Sequence, residues 1–187
     1  LRQICDKSNW NFVNKLKKNL VLTGMMGSGK TTIGKSLSQR LEMGFADVDT
    51  IIEKKVGLSI SEIFENKGEK AFREEEEKES KKILKKTNLV IALGGGAFIN
   101  ENIRNEIKKS SFSVWLDLDV KMLYKRVKES KKRPLLKNSS EEELIKIYNL
   151  RKKIYSLADF KVQCGSKNKE QIINEVLQIY EDRQNHS

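Results

Sequence analysis

Histidine, proline and cysteine are nearly missing from this chain of 187 residues, and each shortage closes off a class of function. The only histidine is His186, beside the C-terminus. That excludes a histidine-based catalytic triad and a histidine-rich metal centre. The two cysteines, Cys5 and Cys164, stand far apart. They form no CxxC pair and no disulfide framework, as expected of a protein kept in the reducing cytoplasm. No apolar run approaches the ~18 residues of a membrane span, and the stretch 89–93 is a typical short one. The opening residues, LRQICDKSNW, lack the apolar core of a secretory signal. Aromatics make up only 7% of the chain. A nucleic-acid-binding module would interleave them with a basic face.

Positive charge is what the chain has in excess. Lys and Arg number 37 against 26 Asp and Glu, for a net charge of +11 and a pI near 9.5. A balance this basic points to an anionic partner, whether nucleic acid, membrane surface or phosphorylated small molecule. The excess is confined to two places. Residues 1–19 carry a local +4 and residues 121–137 a local +7, so the remainder is neutral. The first stretch, up to residue 18, reads as a solvated basic arm. The second lies inside the chain, holds the only proline, Pro134, and contains a single aromatic, Tyr124.

Short apolar runs alternate with helical periodicity. Strands are expected at 19–23, 45–48, 89–93, 112–118 and 160–162. Helices are expected at 30–42, 51–56, 69–86, 100–109, 120–129, 141–157 and 170–182. Ser59 and Glu62 have capping-box spacing, and Gly68 is a break. The fully apolar run 89–93 suits a strand covered on both faces. The alternation predicts a five-stranded parallel sheet in a three-layer α/β/α domain spanning 19–187, with no repeat or linker to divide it.

The sharpest local signal is Gly24-Met25-Met26-Gly27-Ser28-Gly29-Lys30-Thr31, which matches GxxxxGK[ST] between a strand and a helix. Glycines let backbone N–H groups close around phosphate oxygens, and the helix N-terminus adds its positive end. Gly27, Ser28, Gly29, Lys30, Thr31 and Thr32 are therefore the candidate nucleotide residues. Lys30 would reach the β/γ-phosphates and Thr31 would offer its hydroxyl to Mg²⁺. Phe45-Ala46-Asp47-Val48-Asp49 follows with two carboxylates at i, i+2. In extended geometry both point toward the ligand end of the sheet, Asp47 for a metal through water and Asp49 for a substrate hydroxyl. The alternative is that Asp49 merely caps the next helix. Arg73 with Glu76, and Gly94-Gly95-Gly96 after the buried strand, are weaker signals that suit a polar ligand approaching backbone.

Taken in order, GMMGSGKTTIG, FADVD, GEKAFREEE, LGGG, RPLL and RKKIY resemble the shikimate kinases, small P-loop enzymes with a nucleoside-monophosphate-kinase-like fold. The resemblance runs from about residue 19 to residue 160. It implies transfer of the γ-phosphoryl group of MgATP to the 3-hydroxyl of shikimate, by a cytoplasmic monomer. It further implies that Lys30, Asp49 and Arg133 carry catalysis, Arg133 from a mobile lid over 126–139. Thr31 and Asp47 would hold Mg²⁺, Arg126 would stack on adenine, and Asp49, Arg73, Gly95 and Arg151 would grip shikimate. One position departs from the family pattern: Lys153 stands where many members carry proline, two residues after Arg151. The competing readings are a gluconate or nucleotide kinase, a nucleic-acid-binding module, and a kinase-like protein that only binds a partner.

Overall fold

The computed structural model describes residues 17–129 and 140–185. Five strands form one sheet: β1 (Asn19–Thr23), β2 (Gly44–Asp47), β3 (Leu89–Ala92), β4 (Ser111–Asp117) and β5 (Phe160–Gln163). Their order is β2-β3-β1-β4-β5, and every neighbouring pair is parallel. Leu20 of the central strand pairs with Val90 on one side and Phe112 on the other. β1 and β4 are buried along their whole length, which is why their sequences do not alternate. The edge strands β2 and β5 are partly exposed, and β5 (FKVQ) alternates.

Among the described residues seven α-helices connect and cover the strands: α1 (Lys30–Leu41), α2 (Val48–Val56), α3 (Ile60–Leu84), α4 (Glu101–Ser110), α5 (Val120–Glu129), α6 (Glu141–Tyr155) and α7 (Lys169–Asn185). α1 packs on α7, α3 on α2 and α4, and α5 on α6, completing the three-layer α/β/α arrangement. α1 buries Ile33, Leu37 and Leu41, the stripe its period implies. Among the described residues no helix is long and apolar enough to cross a membrane.

Among the boundaries that differ from the sequence reading, one bears directly on the site. β2 ends at Asp47 and α2 begins at Val48, three residues earlier than expected. The reason is the cap: Asp47 Oδ1 accepts from Thr50 N at 3.2 Å, and Val48 is fully buried. The cap is thus Asp47 rather than Asp49. The stretch 60–84 is one helix with a break inside it, at Gly68 (φ 78°, ψ 168°). The Ser59–Glu62 capping box is formed, and a second, Ser140 with Glu143, opens α6. Of the expected basic arm only Lys17 and Lys18 are described. Of the expected lid, 126–129 close α5, and the remainder, Arg133 included, lies outside the described residues.

Candidate active site

Because all five strands run the same way, the loops after them open on one edge of the sheet. The phosphate loop follows β1, Asp47 closes β2, and the glycine triplet follows β3. Two cavities lie along this edge. One, of about 330 Å³, is lined by Gly27, Gly29, Lys30, Thr31, Thr32 and Arg126, among others. The other, of about 490 Å³, is lined by Arg73, Glu76, Gly95 and Arg151, with Phe64 and Phe72 on its apolar wall. Thr31, Asp47 and Asp49 line both. The nucleotide candidates and the acceptor candidates therefore meet at three residues.

Lys30 is nearly buried, and its ammonium donates to the carbonyls of Gly24 and Met25 at 2.9 Å each. It is held over the loop it serves. Thr31 Oγ1 donates to Asp47 Oδ2 at 2.6 Å, joining the start of α1 to the end of β2. Asp49 sits in the first turn of α2, so the two carboxylates are not presented by one extended strand as the i, i+2 spacing suggested. Helix geometry turns them apart, yet both still border the junction of the cavities. Arg126 Nη1 donates to Gly27 O at 3.2 Å, which brings α5 over the phosphate loop. Ser28 is buried within that loop and lines neither cavity.

On the acceptor side, Arg73 is clamped. Nη1 donates to Glu76 Oε2 at 2.7 Å, and Nε and Nη2 reach Glu69 Oε1 at 3.2 and 3.1 Å. Its guanidinium also lies 5.1 Å from the Phe72 ring centroid. Burial works against the Arg73 charge, but the Glu76 and Glu69 carboxylates more than offset this and hold it protonated. Glu76, noted beside Arg73 in the sequence, was given no role of its own there. Its side chain is 2% exposed, and Oε1 has no hydrogen-bond partner among the described residues. Burial pushes its carboxyl above the usual range; Arg73 opposes the shift and the charge of Asp49 adds to it. The only signal in the sequence was the i, i+3 spacing from Arg73, lost among five glutamates between 74 and 79.

The glycine triplet makes these approaches possible. A Cβ on Gly94 would overlap the carboxylate oxygens of Glu76 and Asp49, and one on Gly96 would overlap the Arg73 guanidinium. Gly95 O accepts from Arg151 Nη1 at 3.3 Å and from the Tyr155 hydroxyl. Tyr155 is fully buried against Trp115 and Phe98, and burial pushes its phenol up to about 12, so it is a donor throughout the neutral range. The backbone around Arg151 is regular helix despite Lys153 in place of proline.

Fold and site together define a P-loop kinase with a separate pocket for a small polar acceptor. Comparison with known proteins sharpens the class. The family model described as shikimate kinase matches residues 26–181. A shikimate kinase of Sulfurihydrogenibium sp. (strain YO3AOP1) is 42% identical over 160 residues, covering 86% of this chain and 96% of that protein. The structure of a shikimate kinase from Acinetobacter baumannii in complex with shikimate superposes with a TM-score of 0.84 at 31% identity, covering 89% of this chain and 94% of that one. The Aquifex aeolicus shikimate kinase structure gives 0.78 at 41% identity, covering 89% and 98%. The chain belongs to the shikimate kinase family.

Proposed function

We propose that the two cavities hold the two substrates of a shikimate kinase, ATP along the phosphate loop and shikimate in the larger pocket. The products are ADP and 3-phosphoshikimate. The observation that carries this reading is the sharing of Thr31, Asp47 and Asp49 between the cavities. A phosphoryl group on one side and a hydroxyl on the other would meet there.

Shikimate is a carboxylate with three hydroxyls. Arg73 and Arg151 offer two guanidinium groups for the carboxylate. Asp49 accepts hydrogen bonds from the hydroxyls, and Gly95 supplies close backbone. Lys30 and the loop N–H groups of Gly27, Ser28, Gly29, Thr31 and Thr32 cradle the phosphates. Arg126 covers the base. In a loose transition state charge collects on the equatorial oxygens of the phosphoryl group, where Lys30 stabilises it. Arg133 would add a second cation there. The acceptor hydroxyl needs no strong base, since its proton leaves late, and Asp49 is the carboxylate placed to take it.

The Thr31 hydroxyl and Asp47 carboxylate, 2.6 Å apart at the junction, fit Mg²⁺. Both are hard oxygen donors, and this ion is usually held by one or two carboxylates with phosphates and water completing its shell. When bound it neutralises charge on the β- and γ-phosphates.

Coupled ADP release measured with shikimate, gluconate and nucleoside monophosphates in turn tests the reading. Turnover is expected with shikimate alone. Turnover with gluconate and not shikimate would overturn it, and no turnover with any acceptor would favour a binding-only protein.

A further inference from the structure

The helix that carries Arg151 is fastened to the sheet at two points, and only one of them belongs to the motifs discussed so far. Tyr155, four residues after Arg151, donates to Gly95 O. Tyr148, three residues before it, donates to Asp117 Oδ1 at 2.7 Å. Positions 148, 151 and 155 share one helical face, so Arg151 is bracketed by two phenol hydroxyls. Ile147, on the same helix, lines the acceptor cavity beside Arg151.

The anchor for Tyr148 is itself well held. Asp117 ends β4 and its side chain is only 5% exposed. Its second oxygen pairs with Lys161 Nζ of β5 at 2.8 Å, and its backbone carbonyl accepts from Cys164 N at 2.8 Å. Lys161 in turn lies 4.6 Å from the Trp115 ring centroid. The carboxylate thus has one oxygen for the sheet and one for the helix. None of these groups touches the acceptor cavity.

We propose that Tyr148 is a positioning residue for the acceptor site, acting through Arg151. Its hydrogen bond to Asp117 sets the tilt of α6 and so the reach of the Arg151 guanidinium toward the acceptor carboxylate. Without it, the hydrogen bonds from Arg151 and Tyr155 both end on Gly95 O, and α6 can pivot about that one carbonyl. The inference rests on the reading of Arg151 as an acceptor residue.

The test is calorimetric titration of shikimate, and separately of ADP, into the wild type, Tyr148→Phe, Arg151→Ala and the double variant. Because Tyr148 acts through Arg151, only part of the worth of its charge-assisted hydrogen bond reaches the ligand, so Tyr148→Phe should weaken shikimate about three- to tenfold, with ADP affinity changed less than about twofold. In the Arg151→Ala background the same change should be nearly silent, because the two act as one unit. Undiminished shikimate affinity in Tyr148→Phe overturns the proposal. So does an equal loss in the Arg151→Ala background, which would mark a general structural effect. If Arg151→Ala itself leaves shikimate affinity unchanged, the assignment of Arg151 fails, and the proposal with it. Asp117→Asn, which keeps an acceptor oxygen for the phenol, should retain most of the affinity, and Asp117→Ala should lose it as Tyr148→Phe does. The reverse order overturns the proposal even if Tyr148→Phe proves too unstable to titrate.

Discussion

Arg73 reaches its place because position 96 carries no side chain. Gly96 has ordinary helical dihedrals (φ −105°, ψ −17°), so alanine there brings no backbone strain. Its Cβ would instead overlap the Arg73 guanidinium, which can yield only by giving up part of its clamp on Glu76 and Glu69. Gly96→Ala should therefore lower the melting temperature, because buried Glu76 loses part of its partner, while moving one guanidinium off the acceptor. A hydrogen bond to a charged group is worth about 1.5–3 kcal/mol, so the shikimate KM should rise by about ten- to a hundredfold. The ATP KM should stay within about twofold. Equal losses for both substrates would show that the triplet shapes the whole site rather than the acceptor half. That Lys30, Thr31, Asp47, Arg73 and Arg151 border the cavities was anticipated in the sequence, the first three from the phosphate-loop pattern and the paired aspartates, Arg73 and Arg151 from the family resemblance. The place of Glu76 was not, because its buried pairing with Arg73 at the cavity wall comes from the fold and not from its identity among the glutamates around it.

Among the elements, α3 has the least ordinary geometry. Gly68 combines positive φ with extended ψ, a region that only glycine occupies comfortably. The break redirects the helix so that both limbs face one cavity: Ile60, Ser61 and Phe64 come from the first, Phe72, Arg73 and Glu76 from the second. No atom lies within 4 Å of a Cβ at position 68, so Gly68→Ala would cost backbone strain and nothing else. That strain is about 1–3 kcal/mol. The melting temperature should fall by about 2–4 °C per kcal/mol, and shikimate affinity should weaken as the limbs realign, with nucleotide affinity kept. A melting temperature equal to the wild type would mean that the break carries no strain-sensitive load. At this scale the sequence read well wherever a local rule decides: Gly68 as a breaker, Ser59 as a cap, the unbroken apolar run of β3. It read poorly at the end of β2. There the Asp47 carboxylate serves both as helix cap and as partner of Thr31, and neither role is visible without the neighbouring element.

For the molecule as a whole, the net charge of +11 first suggests a large polyanion. The fold changes that reading, since Arg126 from the more basic stretch lies against the phosphate loop. Strand order was beyond the sequence as well: nothing local says that β1 lies between β3 and β4, yet that order sets the phosphate loop between the glycine triplet and Asp117. The two cavities meet at a border of three residues and are otherwise lined by different residues. Shikimate and a non-hydrolysable ATP analogue with Mg²⁺ should therefore stabilise the fold separately. A ligand at a hundred times its Kd adds about 2.7 kcal/mol to stability. For a chain of this size that is a rise in melting temperature of about 5–10 °C for each. The two rises should sum if the sites are independent, and exceed the sum if closing one cavity orders the other. Arg151→Ala should abolish the shikimate shift and spare the nucleotide shift; loss of both together would mean that the molecule has one site where two are assigned.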